Sequence, residues 1–183
     1  MLDNLQNNIC EIIKHYQKSF KDKIQPDDNQ ATDILMDLFN ITYETKATNK
    51  QFWGRELGML WQKIVTEVFK DKEGFKEPKK FGKDEPYDLQ FGNDCIDTKY
   101  RIGSGDAGTL KKFKQYAKLI KSEGNNPVLL FLREDNLPAA ITACINGGWT
   151  IYKGQESFDY IKQHTGINLQ EILQEFAGKF SIN

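Results

Sequence analysis

The sequence predicts an α/β domain, a mixed β-sheet flanked by helices. Apolar runs of strand length stand at "YDLQF", "CIDTKYR" and "PVLLFLR", and longer segments around them carry apolar residues at helical spacing. The two kinds of segment alternate along the chain, which is the pattern of helices layered on a sheet. At 183 residues, 39% hydrophobic and 28% charged, the chain suits one domain with a core and resembles neither a disordered nor a fibrous protein.

Each element has its own signal. Leu2, Leu5, Ile9, Ile12, Ile13, Tyr16 and Phe20 recur at helical spacing and predict an amphipathic helix to about Lys23. "QPDDNQ" breaks it, and "ATDILMDLF" predicts a shorter helix ending near Asn40. Over residues 48–69, Trp53, Leu57, Leu60, Trp61, Ile64 and Val68 mark a long helix, in which Gly54 and Gly58 would permit close approach to the sheet. The charged, Gly- and Pro-punctuated "KDKEGFKEPKKFGKDEP" reads as an exposed connection with one short strand around residues 79–81. Strands are expected at 87–91 and 95–101, then a Gly-rich loop "IGSGDAGT". A helix follows with Leu110, Phe113, Ala117 and Ile120 on one face and Gly124 as its stop. "PVLLFLR" and "AAITACI" are expected as buried strands, and the tail from Gln155 as two helices separated by "HTGIN". The chain divides into a helical N-terminal extension (1–45), a core (48–133) and a closing strand with C-terminal helices (134–183), all within one domain.

Composition excludes several classes. No apolar run approaches the roughly 20 residues of a membrane helix, and "MLDNLQNN" lacks a basic region followed by an apolar one. A cytoplasmic protein without membrane contact is expected. Cys10, Cys95 and Cys144 have no CxxC spacing and read as reduced thiols. His15 and His164 have no partner at ligand spacing. The net charge of −1 does not advertise a nucleic-acid partner, but between residues 99 and 121 the chain sets Lys99, Arg101, Lys111, Lys112, Lys114, Lys118 and Lys121 against Asp106 alone.

The chemistry concentrates in "YDLQFGNDCIDTKY", residues 87–100. Gly92-Asn93 is the central pair of a two-residue hairpin turn with Gly at the first position. That turn sets Phe91 against Asp94, Leu89 against Ile96 and Asp88 against Asp97, with Lys99 on the side of Asp97. Opposed β-carbons lie only about 4.5–5.5 Å apart, and opposed like charges destabilise a strand pair. A divalent cation between the two carboxylates reverses that sign. Magnesium suits Asp88 and Asp97 with a main-chain carbonyl, here that of Thr98, and activates water while stabilising charge in phosphoryl transfer. Lys99 is then placed to steer or deprotonate that water and to stabilise the pentavalent oxyanion. The remaining face, with Tyr87, Leu89, Phe91, Ile96, Thr98 and Tyr100, is expected to meet the core. Acid-x-Lys also occurs at Glu44-Thr45-Lys46 and Glu77-Pro78-Lys79, but only Asp97-Thr98-Lys99 sits in an apolar strand with an acid in register.

Asp88, the spacer "LQFGNDCI" and Asp97-Thr98-Lys99 resemble the PD-(D/E)xK nuclease superfamily, and "DTKYRIGSGDAGTLKKFKQYA" resembles its type II restriction endonucleases. The resemblance spans roughly residues 48–133. It implies a restriction-endonuclease-like core (helix, three strands, helix, strand), metal ligands at Asp88 and Asp97, and a catalytic lysine at Lys99. It further implies Mg2+-dependent, sequence-specific cleavage of double-stranded DNA, 5′-phosphate products and a homodimer on a two-fold symmetric site. Pro86 stands two residues before Asp88 instead of one, which leaves Glu85 and Asp84 as alternative first ligands. Many superfamily members carry an acid on the helix before the hairpin, a place filled by Glu56; the alternative is a boundary glutamate paired with Arg55 or Lys63. Arg101 and Ser104 in the loop, and Lys111 and Gln115 on the helix, are DNA-contact candidates against the plainer readings of a connector and a solvated face. A repair or junction-resolving nuclease, and a non-catalytic nucleic-acid-binding module, are the competing functions.

Overall fold

A computed structural model describes residues 32–103 and 107–182, within a compact unit running from Thr32 to Asn183. The helix expected over the first 23 residues lies outside the described residues, as do Cys10, His15 and Ser104. Among the described residues, two short helices, α1 (Ile34–Leu38) and α2 (Tyr43–Thr48), precede the long α3 (Lys50–Lys70). The order then runs β1 (Phe75–Lys76), β2 (Leu89–Phe91), β3 (Asp94–Lys99), α4 (Ala107–Ser122) and β4 (Asn126–Phe131). It closes with α5 (Pro138–Gly147), β5 (Thr150–Lys153), α6 (Gln155–Thr165) and α7 (Leu169–Glu175). From α3 to β4 this is the expected helix, three strands, helix, strand.

The five strands of the described residues form one mixed sheet in the order β1-β2-β3-β4-β5. The first three are antiparallel neighbours, and β3, β4 and β5 are parallel, each pair joined by a crossover helix as parallel strands require. The hairpin register is the one read from the turn: Leu89 faces Ile96, Gln90 faces Cys95 and Phe91 faces Asp94. Gly92 has φ 56° while Asn93 stays in the ordinary region, so only the first turn residue needs the left-handed backbone that glycine supplies.

Helices cover both faces. On one, Leu57, Trp61, Val65 and Phe69 of α3 pack with Leu89, Ile96, Val128 and Leu130 of the sheet and with Phe158 and Ile161 of α6. The Trp61 indole N–H donates to the Leu130 carbonyl at 3.1 Å, which fixes α3 against β4. Gly58 meets the chain just after β3, since a β-carbon there would lie 3.7 Å from that of Tyr100, whereas among the described residues nothing lies within 4 Å of one at Gly54. On the other face, Cys95, Leu129 and Phe131 pack with Phe113, Ala117 and Ile120 of α4 and Ala140 and Cys144 of α5. The second face, which carries Asp97 and Lys99, is therefore also a core layer.

Three expectations are corrected. "AAITACI" is helix α5, not a strand: Pro138 opens its first turn, and Gly148 closes it at φ 102°. The fifth strand is "TIYK" instead, with its β-branched and aromatic residues beside β4. The short strand expected at residues 79–81 lies earlier, at Phe75–Lys76, and Phe81 makes only an isolated bridge to Asp84. Tyr87 belongs to the Cys95 layer and not to the Leu89 layer, because the chain bends at Asp88 and breaks the alternation of the strand.

Candidate active site

The local fold at the hairpin starts from Asp88. It stands just before β2 in a bend, its own N–H donating to the Ile96 carbonyl at 2.8 Å. The regular ladder ends at Leu89–Ile96, so Asp88 is not a strand partner of Asp97 in the strict sense. Its carboxylate takes over instead. Asp88 Oδ2 accepts the Thr98 backbone N–H at 2.7 Å and the Thr98 hydroxyl at 2.6 Å. These two bonds hold Asp88 over β3 and explain why Thr98 is buried although its side chain is polar.

Asp97 is 7% exposed at the centre of β3. Burial pushes its carboxyl up from 3.8 to about 6; the Asp88 charge and a shared hydrogen bond add to the rise, and Lys99 opposes it. The Lys99 Nζ donates to Asp97 Oδ1 at 2.6 Å and to the Thr98 carbonyl at 3.1 Å. Burial alone would depress the Lys99 ammonium, but Asp97 and then Asp88 outweigh it and hold it above its ordinary value. Asp88, Asp97, Lys99 and the Thr98 carbonyl thus converge.

Asp97 and Lys99 open onto a pocket of about 210 Å³, whose other walls are Glu85, Pro86, Thr109, Lys112, Phe113 and Tyr116. Of the two alternative acids, Glu85 lines this pocket and pairs with Lys80 at 3.0 Å. Asp84 instead accepts the Tyr116 hydroxyl at 2.8 Å.

The supporting candidates scatter. Glu56 is paired with its neighbour, accepting from Arg55 at 2.9 and 3.0 Å. Arg101 is exposed and its Nε donates to the Asp135 carbonyl at 2.7 Å. Lys111 and Gln115 are exposed and lie off the stripe of α4 that lines the pocket. That stripe, at i, i+3, i+4 and i+7, was open to a helical-wheel reading, because it borders the apolar face already marked by Phe113.

Sequence reasoning also missed a charged network on the opposite face. Asp33 accepts Arg133 at 2.7 Å and the Tyr100 hydroxyl, and Arg133 reaches Asp135 at 2.6 Å. Lys46 donates to Tyr100 at 2.5 Å, and burial beside Arg133 pulls its ammonium down to about 8 against the attraction of Asp33. The network ties α1 and α2 to the ends of β3 and β4, directly after Lys99.

Among the described residues no group of three or more His, Cys, Asp or Glu side chains forms a metal site. Magnesium does not need one, since it is bound through one or two carboxylates and keeps several waters. Two hard-oxygen carboxylates, Asp97 buried and Asp88 half-buried, beside a main-chain carbonyl fit that ion. Among the described residues no helix is long and apolar enough to cross a membrane.

No curated protein and no solved structure matches the chain. The model of one protein family does match, over residues 1–178 and therefore over nearly the whole sequence, including the hairpin and the pocket. On that match the chain belongs to the ApaLI-like restriction endonuclease family, and it is a nuclease of the restriction type.

Proposed function

We propose that the protein is a Mg2+-dependent type II restriction endonuclease of the PD-(D/E)xK superfamily that hydrolyses double-stranded DNA at a specific sequence, as a homodimer, leaving 5′-phosphates. The observation that carries this reading is the convergence of Asp88, Asp97 and Lys99 beside an open pocket, inside a chain of the restriction endonuclease family. Asp88, Asp97 and the Thr98 carbonyl are the atoms that would hold the ion. Bound there, magnesium supplies positive charge near the scissile phosphate and acidifies water.

The chain's own residues do the rest. Thr98, donating twice to Asp88, fixes that carboxylate over β3 beside Asp97. Lys99 stays an ammonium at neutral pH because two carboxylates face it, which favours donation to the developing phosphorane oxygen over proton abstraction. Its three N–H groups can keep Asp97 as partner while one turns to water or substrate. The apolar walls of Phe113, Pro86 and Tyr116 lower the local dielectric on their side of the pocket and strengthen these charge interactions. Glu56 is a supporting acid in this proposal only if it leaves Arg55.

The test is to digest DNA of mixed sequence with Mg2+ and sequence the fragment ends. One recurring, symmetric sequence with 5′-phosphates is expected. Ends without a common sequence would remove the type II reading, and intact DNA across many sequences would remove the nuclease reading.

A further inference from the structure

The wall of the pocket opposite Asp97 and Lys99 is a single stripe of α4: Thr109, Lys112, Phe113 and Tyr116. Two members of that stripe already hold an anion. The Tyr116 hydroxyl donates to Asp84 Oδ1 at 2.8 Å, and the Lys112 Nζ stands 3.5 Å from the same oxygen. Asp84 is presented to them by a tight bridge, with reciprocal backbone bonds to Phe81 of 2.8 and 3.1 Å.

This contact does little for the fold. The Lys112 and Asp84 side chains are 59% and 52% exposed, and ion pairs of that kind contribute little to stability. Its geometry nevertheless brings an ammonium and a phenolic hydroxyl to one oxygen at the rim of the pocket. Phosphate oxygens take such donors, and contacts of this type position DNA without reading its sequence.

We propose that Lys112 and Tyr116 form a clamp for a DNA backbone phosphate at the rim of the cleavage pocket, and that Asp84 fills the clamp in the free protein as a carboxylate stand-in for that phosphate. The proposal rests on the nuclease reading of the pocket and adds to it the residues that hold the strand. On DNA binding the Asp84 carboxylate is released to water and the phosphate takes its two donors. Lys112 thereby succeeds Lys111 and Gln115 as the strand-contacting position of α4.

The experiment measures DNA binding, not cleavage. The Asp97→Asn protein is titrated with a labelled mixed-sequence duplex without metal, from about 50 to 200 mM salt, where phosphate contacts dominate affinity. Adding Lys112→Ala is expected to weaken binding about tenfold on every sequence and to lower the salt slope by about 0.9, with Lys112→Arg restoring both. Asp84→Asn is expected to tighten binding several-fold when Lys112 is present and to do nothing in the Lys112→Ala background. An unchanged affinity and slope for Lys112→Ala overturns the clamp, and so does an equal gain from Asp84→Asn with and without Lys112. Failure of the Asp97→Asn protein to bind duplex DNA at all would overturn the nuclease reading itself, a different outcome from either of these.

Discussion

Replacing Asp97 by asparagine is expected to make the free protein more stable while removing its activity. Asp97 binds its proton more tightly when folded, at about 6, than when unfolded, at 3.8. Its contribution to stability is thus fully present below pH 3.8 and is lost as the pH rises through 6. At pH 7.5 the buried carboxylate destabilises the fold by about 3 kcal/mol, from roughly two units at 1.36 kcal/mol each. Asparagine gives up the Lys99 partner and still buries a polar group, which offsets about 1 kcal/mol. The remaining gain of about 2 kcal/mol corresponds to a Tm rise of about 4–8 °C for a chain of this size. Thermal melts of both proteins without metal, at pH 7.5 and at pH 4, measure it. The difference should be present at pH 7.5 and absent at pH 4. A lower Tm for the variant at pH 7.5 would mean that Asp97 is a satisfied structural group, and the argument that it awaits a cation would fail.

Metal affinity of the wild type, followed by calorimetry with Mg2+ or Mn2+, should hold above pH 6 and fall by about tenfold per unit below it as a proton occupies Asp97; no dependence between pH 5 and 7 refutes the ligand role. Thr98→Val removes the hydroxyl from Asp88 and leaves the backbone bond, so metal should bind about tenfold more weakly with the fold intact; unchanged binding would relieve Thr98 of its orienting role. Asp33→Ala strips Arg133, 7% exposed, of one of its two carboxylates and should lower stability in urea by about 3 kcal/mol; a loss below about 0.5 kcal/mol would show the network to be ornamental.

Much of the site was legible before the structure. The turn at Gly92-Asn93 is a local signal, and a hairpin register follows from it by counting, so Leu89–Ile96 and the shared side of Asp97 and Lys99 could be read directly. What counting could not supply was the bend at Asp88. That bend depends on bonds from Thr98, ten residues away, and it moves Tyr87 to the opposite layer. The helix at Pro138–Gly147 was misread because a short apolar run suits a buried strand or a buried helix equally. Its Pro at the start and Gly at the end were the better evidence. The Asp33–Arg133 contact spans 100 positions, and the folding of α1 onto the sheet ends, not any local pattern, creates it. The Lys112–Tyr116 stripe was within reach of a helical wheel beside Phe113, but that it faces Asp97 and Lys99 follows only from the packing of α4 against β3.

We propose that Asp97 and Lys99, with Asp88, cut DNA. The most direct measurement compares wild type, Asp97→Ala and Lys99→Ala on the same duplex DNA with Mg2+, under single-turnover conditions and at protein concentrations where all three bind it. Cleavage by the wild type and a loss of at least about a thousandfold in each variant are expected. Cleavage by Lys99→Ala at the wild-type rate would contradict the proposal.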